Sequence, residues 1–239
     1  MSTWSLVLCE GPHDQEFLCT LLVVAEKWSI VEGFQPPGQA RSRGPTFMTA
    51  VDPSGSQRLA IAALGGVPKL LGDLGCELLR YNSATATAAA IVVDADDDGA
   101  DKRVGQAREL WARAGLSDST APQLGSLVQG KPSSALWVAP DCSSSGSLDQ
   151  LIVEAARLRN PRRVELATQF VTDLARVDSH SWGPYEDKAR AGAIGQRWRA
   201  GGSLASALQV RDDWMTPDIA AQPPFRPLIE FLLRVAAGQ

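Results

Sequence analysis

The sequence predicts an α/β protein, a parallel β-sheet flanked by helices and followed by a C-terminal helical extension. Three observations carry this prediction. Apolar segments of strand length alternate with segments of helical period through the first 160 residues. "AAAIVVD" (88–94) is a near-continuous run of small and β-branched residues, the kind buried on both faces inside parallel sheets. Beyond about residue 160 only helical periodicity remains. The expected division is therefore an α/β domain over 1–160 and a helical extension over 161–239 packed on it.

The elements follow in order. "WSLVLCEG" (4–11) reads as a strand closed by Glu-Gly. "DQEFLCTLLVVAEK" (14–27) places Phe17, Leu18, Leu21, Leu22 and Ala25 at helical spacing, with Pro12 suited to the first helical position. "WSIVEGF" (28–34) is a second strand candidate. Residues 35–57, rich in Pro, Gly, Ser and Arg, read as a loop. "RLAIAAL" (58–64) is a strand ended by Gly65-Gly66, and "VPKLLGDLGCELLR" (67–80) an amphipathic helix. After strand 88–94 come a helix over 103–115, a strand over 134–141, and helices over 147–159 and 162–177. Further helices are expected near 186–200 and 226–236.

Composition narrows the function classes. The chain has 239 residues, 44% of them hydrophobic, enough for a sizeable core. The net charge of −4 supplies no general field for nucleic acid, so binding would need a local basic patch or a metal. Arg41, Arg43 and Arg58 flank the long loop and are candidates for such a patch; the plain alternative is an ordinary surface loop. Cys9, Cys19, Cys76 and Cys142 form no CxxC pair, and His13 and His180 are the only histidines, which argues against zinc. No apolar run approaches the ~20 residues that span a bilayer, and the N-terminus lacks a signal-peptide pattern. The expectation is a cytoplasmic protein without a membrane partner.

The chemistry lies in the acids. Five aspartates fall within the eight positions from Asp94 to Asp101. Carboxylates forced together take up either protons or a cation. In parallel sheets functional groups gather at the carboxyl ends of strands, and three strand candidates end in acid: Glu10, Asp94 and Asp141. Asp94 and Asp96, two apart, can turn toward one point. Asp14 lies in the first turn of the helix after Glu10, within reach of that point. Oxygen-only ligands suit Mg²⁺ or Mn²⁺.

The order of these motifs resembles TOPRIM domains. "LVLCEGPHD" is similar to their strand–Glu-Gly–helix opening and "AAIVVDADDD" to their Asp-x-Asp strand end. "WVAPDCSSSGSLDQLI" and "DKARAGAIGQRW" further resemble stand-alone TOPRIM proteins related to overcoming-lysogenization-defect nucleases, which carry a Gly-x-Leu-Glu segment and a later Lys-led helix. The resemblance covers residues 4 to about 160 and, more weakly, the tail. It implies a divalent-metal-dependent nuclease acting on DNA or RNA. Glu10 would be ligand or general base, Asp94 and Asp96 the metal pair, and Asp14 and Asp149 the acids for a second ion. Lys188 would face the charge developing on phosphorus. Asp149 departs from the family's Glu by one methylene, so an ion there would sit closer to the helix or bind through water.

Other readings stand beside this one. "DADDDG" matches the opening of a calcium loop, but its twelfth position is Gly105 and a strand precedes it. A glycosyltransferase Asp-x-Asp would want an N-terminal nucleotide-binding strand where this chain has "LCEGPHD". Asp97, Asp98 and Asp101 read as a solvated run. Asp14 also suits a helix N-terminus through the dipole, and Ser147 with Gln150 fits a capping box. Lys188 by itself reads as a surface lysine, and His180 as a loop residue. Related TOPRIM domains are often fused to ABC-type ATPases, and this chain has no GxxxxGK[ST] loop. The alternative function is therefore a non-catalytic or weakly catalytic interaction module working with a separate ATPase. Homo-oligomerisation is left open.

Overall fold

The computed structural model describes residues 3–31, 45–177, 179 and 181–239. β1 (Thr3–Cys9) leads through α1 (Pro12–Glu26) to a short β2 (Ser29–Val31), and β3 (Thr46–Val51) and β4 (Gln57–Ala63) form a hairpin. α2 (Val67–Leu70) and α3 (Asp73–Asn82) connect to β5 (Ala88–Asp94). α4 (Ala100–Arg113) leads past β6 (Leu127–Val128) to β7 (Ser133–Ala139). The remainder is helical: α5 (Leu148–Arg159), α6 (Pro161–Val177), α7 (Glu186–Trp198), α8 (Leu204–Leu208), α9 (Pro217–Ala220) and α10 (Arg226–Ala237).

The seven strands lie in the order β2-β3-β4-β1-β5-β7-β6. The four central strands are parallel, and the edges are antiparallel. The sheet is thus mostly parallel, with antiparallel borders that the sequence reading missed. β3 lies inside the segment read as a loop. Its residues "TFMTAV" are only half covered and are bounded by Pro45 and Asp52-Pro53, so the turn residues masked a short strand next to the sheet edge. The Asp52 carboxylate closes that hairpin by accepting the N–H groups of Gln57 at 2.7 Å and Ser54 at 3.3 Å.

Strand alternation decides what covers each face. Val7, Ile61, Val92 and Trp137 point to the side that holds α1, α5 and α10. Leu8, Ala62, Ile91, Val93 and Leu136 point to the side that holds α3 and α4. The C-terminal helices share the first of these cores. Phe231 meets Trp137 with ring centroids 5.4 Å apart, and Phe225, Leu228 and Val235 are buried in the same cluster as Val7 and Leu18. Among the described residues no helix is long and apolar enough to cross a membrane.

Two features of this topology build a crevice. α1 leaves β1 on one face, and α4 leaves the neighbouring β5 on the other. The carboxyl ends of β1 and β5 therefore open between diverging helices, as at a topological switch point. The helix expected over 67–80 is also broken. A Cβ on Gly72 would lie 2.2 Å from the Pro68 carbonyl oxygen, so only glycine allows the tight corner between α2 and α3. That corner turns Val67, Pro68 and Leu71 toward the crevice.

Candidate active site

The crevice holds a cavity of about 620 Å³ lined by Glu10, Asp94, Asp96, Asp98, Asp149, Arg103 and Lys188, with Val67, Pro68 and Leu71 as an apolar wall and Tyr185 at its edge. Five of the six acids and cations expected at the site thus face one space, although they come from β1, β5, the turn after β5, α5 and α7.

Glu10 is fixed from both sides. Its carbonyl oxygen accepts the N–H groups of Gly65 at 2.5 Å and Gly66 at 2.8 Å, whose φ values of 87° and 105° let the chain after β4 wrap that oxygen. Its carboxylate Oε1 accepts the backbone N–H of Asp94 at 2.9 Å. Burial, with the charges of Asp14 and Asp96, pushes the Glu10 carboxyl up to about 7, against the opposing Asp94 hydrogen bond and the Arg103 charge.

Asp94 ends β5 partly buried. Its Oδ1 accepts the N–H of Leu148, the first residue of α5, at 2.8 Å. The Ser147 side chain makes no cap hydrogen bond, so the capping box expected at Ser147 and Gln150 is absent; a strand-end carboxylate from elsewhere in the chain satisfies the first helix N–H instead. Burial and the charges of Asp14 and Glu10 still raise the Asp94 carboxyl well above the usual range. Asp96 lines the same cavity with φ of 48°, but its carboxylate is turned to the Arg103 guanidinium at 3.0 Å. Asp94 and Asp96 therefore do not aim at one point in this structure.

Arg103 is the cation that the acid pattern hid. It is 3% exposed on α4 and gives its Nε to the Asp94 carbonyl at 2.8 Å. Its remaining nitrogens reach Asp96 and Asp98, the latter at 3.3 Å. Asp98, read as merely solvated, is held by both Arg103 and Lys102, the latter at 2.6 Å. A buried arginine nine residues after a strand-end aspartate carries no period of its own.

Asp14 is the exception among the expected acids. It is buried beneath the cavity and does not line it. Its Oδ2 accepts the Gly11 N–H at 2.7 Å, which caps α1, and its Oδ1 lies 3.0 Å from His13 Nε2. The helix-terminus reading describes it better than a ligand of the same ion. Asp149 is 3% exposed, and its Oδ1, 3.9 Å from His13 Nε2, accepts no hydrogen bond among the described residues. Burial raises the Asp149 carboxyl, while His13 and Lys188 pull it down. His13, passed over in the sequence, sits between two carboxylates. Burial opposes its charge, but Asp14 and Asp149 outweigh that and raise its pKa.

Lys188 lies on α7 with its side chain exposed to the cavity and makes no hydrogen bond or ion pair among the described residues. Asp141, the third strand-end acid, turns away into its own loop. His180, Arg41 and Arg43 lie outside the described residues.

The donor set can be tested against a divalent ion. Among the described residues no three His, Cys, Asp or Glu side chains are already gathered as ligands of one ion. Mg²⁺ is commonly held by one or two carboxylates with water and substrate oxygens completing the shell. Glu10 and Asp94, both raised first by burial and then by neighbouring carboxylates, and the Asp149 oxygen that is unpartnered among the described residues fit that kind of site.

A family model described as "Protein of unknown function (DUF3226)" matches residues 5–201, and the chain belongs to that family. No curated protein matches the chain. Among solved structures, hypothetical protein PH0156 from Pyrococcus horikoshii OT3 is similar over 98% of this chain and 95% of that one, with a TM-score of 0.54 at 12% identity. That likeness concerns the fold alone.

Proposed function

We propose that this member of the DUF3226 family is a phosphodiesterase acting on nucleic acid with the help of Mg²⁺ or Mn²⁺. The observation that carries the reading is the gathering of Glu10, Asp94, Asp96 and Asp149 with Lys188 around one cavity at the switch point of the sheet. The motif resemblance to TOPRIM nucleases supports it independently. Glu10 and Asp94 would hold an ion, with Asp96 and Asp149 beside it. Such an ion lowers the pKa of a bound water and offsets the charge of a phosphodiester.

The chain's own residues do the rest. Arg103 holds the Asp94 carbonyl and keeps the strand end in place. Lys188 supplies a cation that forms no ion pair among the described residues, at the edge where an anionic backbone would enter. Val67, Pro68 and Leu71 exclude water from one side, and Tyr185, 65% exposed, offers a ring face to a base. Incubation with labelled DNA and RNA panels, with Mg²⁺, Mn²⁺ or EDTA, tests the reading. Metal-dependent cleavage lost in Asp94→Asn/Asp96→Asn is the expected result.

A second reading is favoured by one observation. The Asp96 and Asp98 carboxylates are already balanced by Arg103 and Lys102. A site whose acids are internally paired suits a binding module that works with a separate ATPase. Retention of nucleic acid without cleavage under either ion would select it.

A further inference from the structure

We infer that the outer face of α6 is a self-complementary seam through which two copies of this chain associate. Five of the nine large apolar side chains left exposed among the described residues lie here or beside it: Leu158, Leu166, Phe170, Leu174 and Val177. Within α6 the exposures are 51%, 56%, 37% and 80% for Leu166, Phe170, Leu174 and Val177. The adjoining face, with Val164, Ala167 and Val171 about a quarter turn round the helix, is already buried against the body of the protein. The stripe is therefore a second apolar face on a helix whose first face is used. Solvent exposure of this much contiguous apolar surface marks an interaction site.

The pattern of the stripe selects the partner. Leu166 and Leu174 lie four residues to either side of Phe170, and Arg163 and Val177 lie seven to either side. Offsets of four and seven keep all of them on one side of a helix. A two-fold axis through Phe170 lays a second α6 antiparallel on the first. Leu166 then meets Leu174 of the other copy twice, as an isologous contact requires. A cavity of about 500 Å³ between α6 and α7, walled by Leu166, Phe170 and Ile194, gives each incoming leucine a hole.

Charge agrees with this pairing. Arg162 and Arg163 occupy the first turn of α6, which holds no acid, so they oppose the helix's own dipole. Arg162 is offset by Glu165 at 2.8 Å, but Arg163 has no ion pair among the described residues. The antiparallel neighbour would bring the C-terminal, negative end of its helix dipole to this end, with Asp173 one turn back already paired with Arg176 at 3.5 Å. α6 has 17 residues and is about 25 Å long, so the seam would bury on the order of 1,000 Å², the lower edge for a specific interface. Association in the micromolar range is the matching expectation.

Sedimentation velocity on the full chain, run up to about 100 μM, a concentration well above a micromolar Kd, reads the result. The expected outcome is a shift from the 25.5 kDa chain toward twice that mass as concentration rises. Phe170→Glu, which sets two like charges on the axis, should hold the chain at monomer mass with an unchanged circular dichroism spectrum. Phe170→Cys should form an intermolecular disulfide on mild oxidation that the wild type, with its own half-buried Cys142, does not. A wild type that stays at 25.5 kDa throughout overturns the inference. So does a dimer that survives Phe170→Glu, or one that fails to cross-link through position 170.

Discussion

Asp94 and Asp141 follow adjacent parallel strands at the same edge of one sheet, yet their carboxyls are driven in opposite directions. At Asp94, burial and the nearby charges of Asp14 and Glu10 outweigh the single N–H of Leu148, and the carboxyl is raised well above its ordinary range. At Asp141, burial is the largest single influence and works the same way, but the hydrogen bonds of its own loop together outweigh it. The N–H groups of Ser144 at 2.7 Å and Ser143 at 2.9 Å, with both hydroxyls, hold its carboxyl below the usual value. Position at a strand's carboxyl end is therefore not enough to make an acid functional. What matters is whether the following loop satisfies the acid locally or leaves it facing other acids. Asp141 is followed by serines that close a turn on it; Asp94 is followed by another acid and answered only from distant parts of the chain.

The largest expected effect separates these two acids directly. Asp94→Asn/Asp96→Asn should weaken Mn²⁺ binding by at least about 100-fold in calorimetry, whereas Asp141→Asn should leave it unchanged. Equal affinity in all three proteins would remove the ion from this crevice. Wild-type protein at about 100 times its Kd for Mn²⁺ should gain on the order of 2.7 kcal/mol of stability, because the ion binds only the folded state.

Glu10→Gln comes next. If cleavage is observed, turnover should fall by roughly 10²–10⁴-fold, the range for loss of a proton-transferring group. Turnover at the wild-type level would show that the Glu10 carboxylate neither takes a proton nor holds the ion. Lys188→Ala should cost on the order of 10²-fold in turnover, the scale for one donor to a developing charge, while Mn²⁺ affinity stays within twofold. Arginine should restore only part of the rate, since its planar fork differs from a point charge. If alanine retains wild-type turnover, the cationic role passes to Arg103.

The sequence was most legible where one segment decides its own structure. β1, β5 and β7 are apolar enough to be buried on both faces, and α1, α4 and α5 carry clear helical periods, so the α/β class and the strand ends with Glu10 and Asp94 were readable. The short strand β3 was not, because half-covered residues between prolines lack a strong period. The placement of Asp149 and Lys188 on one cavity was anticipated only through motif resemblance. The geometry of the counter-charges was harder to read. Arg103 reaches its carboxylates from inside a helix, and His13 reaches Asp149 across 136 positions of chain, so no local spacing signals either. Asp14 was legible twice over, as ligand and as helix cap; its hydrogen bond to Gly11 favours the cap.

The smallest expected effect is in stability against pH, and its sign follows from the comparison. Glu10 has an ordinary pKa of 4.5 and is raised to about 7 in the folded chain. Asp94 and Asp149 are also raised. For each, the folded state holds a proton that the unfolded state has already released, so the stabilising contribution is complete below the ordinary value and is lost as pH rises; for Glu10 it is complete below about pH 4.5 and lost as pH rises through about 7. His13, raised by Asp14 and Asp149 despite burial, contributes in the same direction. The Asp141 contribution runs oppositely: its lowered carboxyl stabilises above the ordinary 3.8 and is lost as pH falls below it. Asp141 is exposed, so solvent screens most of that effect. With EDTA present, the melting temperature should therefore fall by roughly 5 °C between pH 5 and pH 8. Glu10→Gln should flatten this slope, and saturating Mn²⁺ should remove much of it by balancing the same charges. Asp141→Asn should leave it within about 1 °C, since an exposed carboxylate is worth little. A melting temperature that rises from pH 5 to pH 8 without metal would mean that Arg103 and Lys188 already balance the crevice, and the acids would then have no need of an ion.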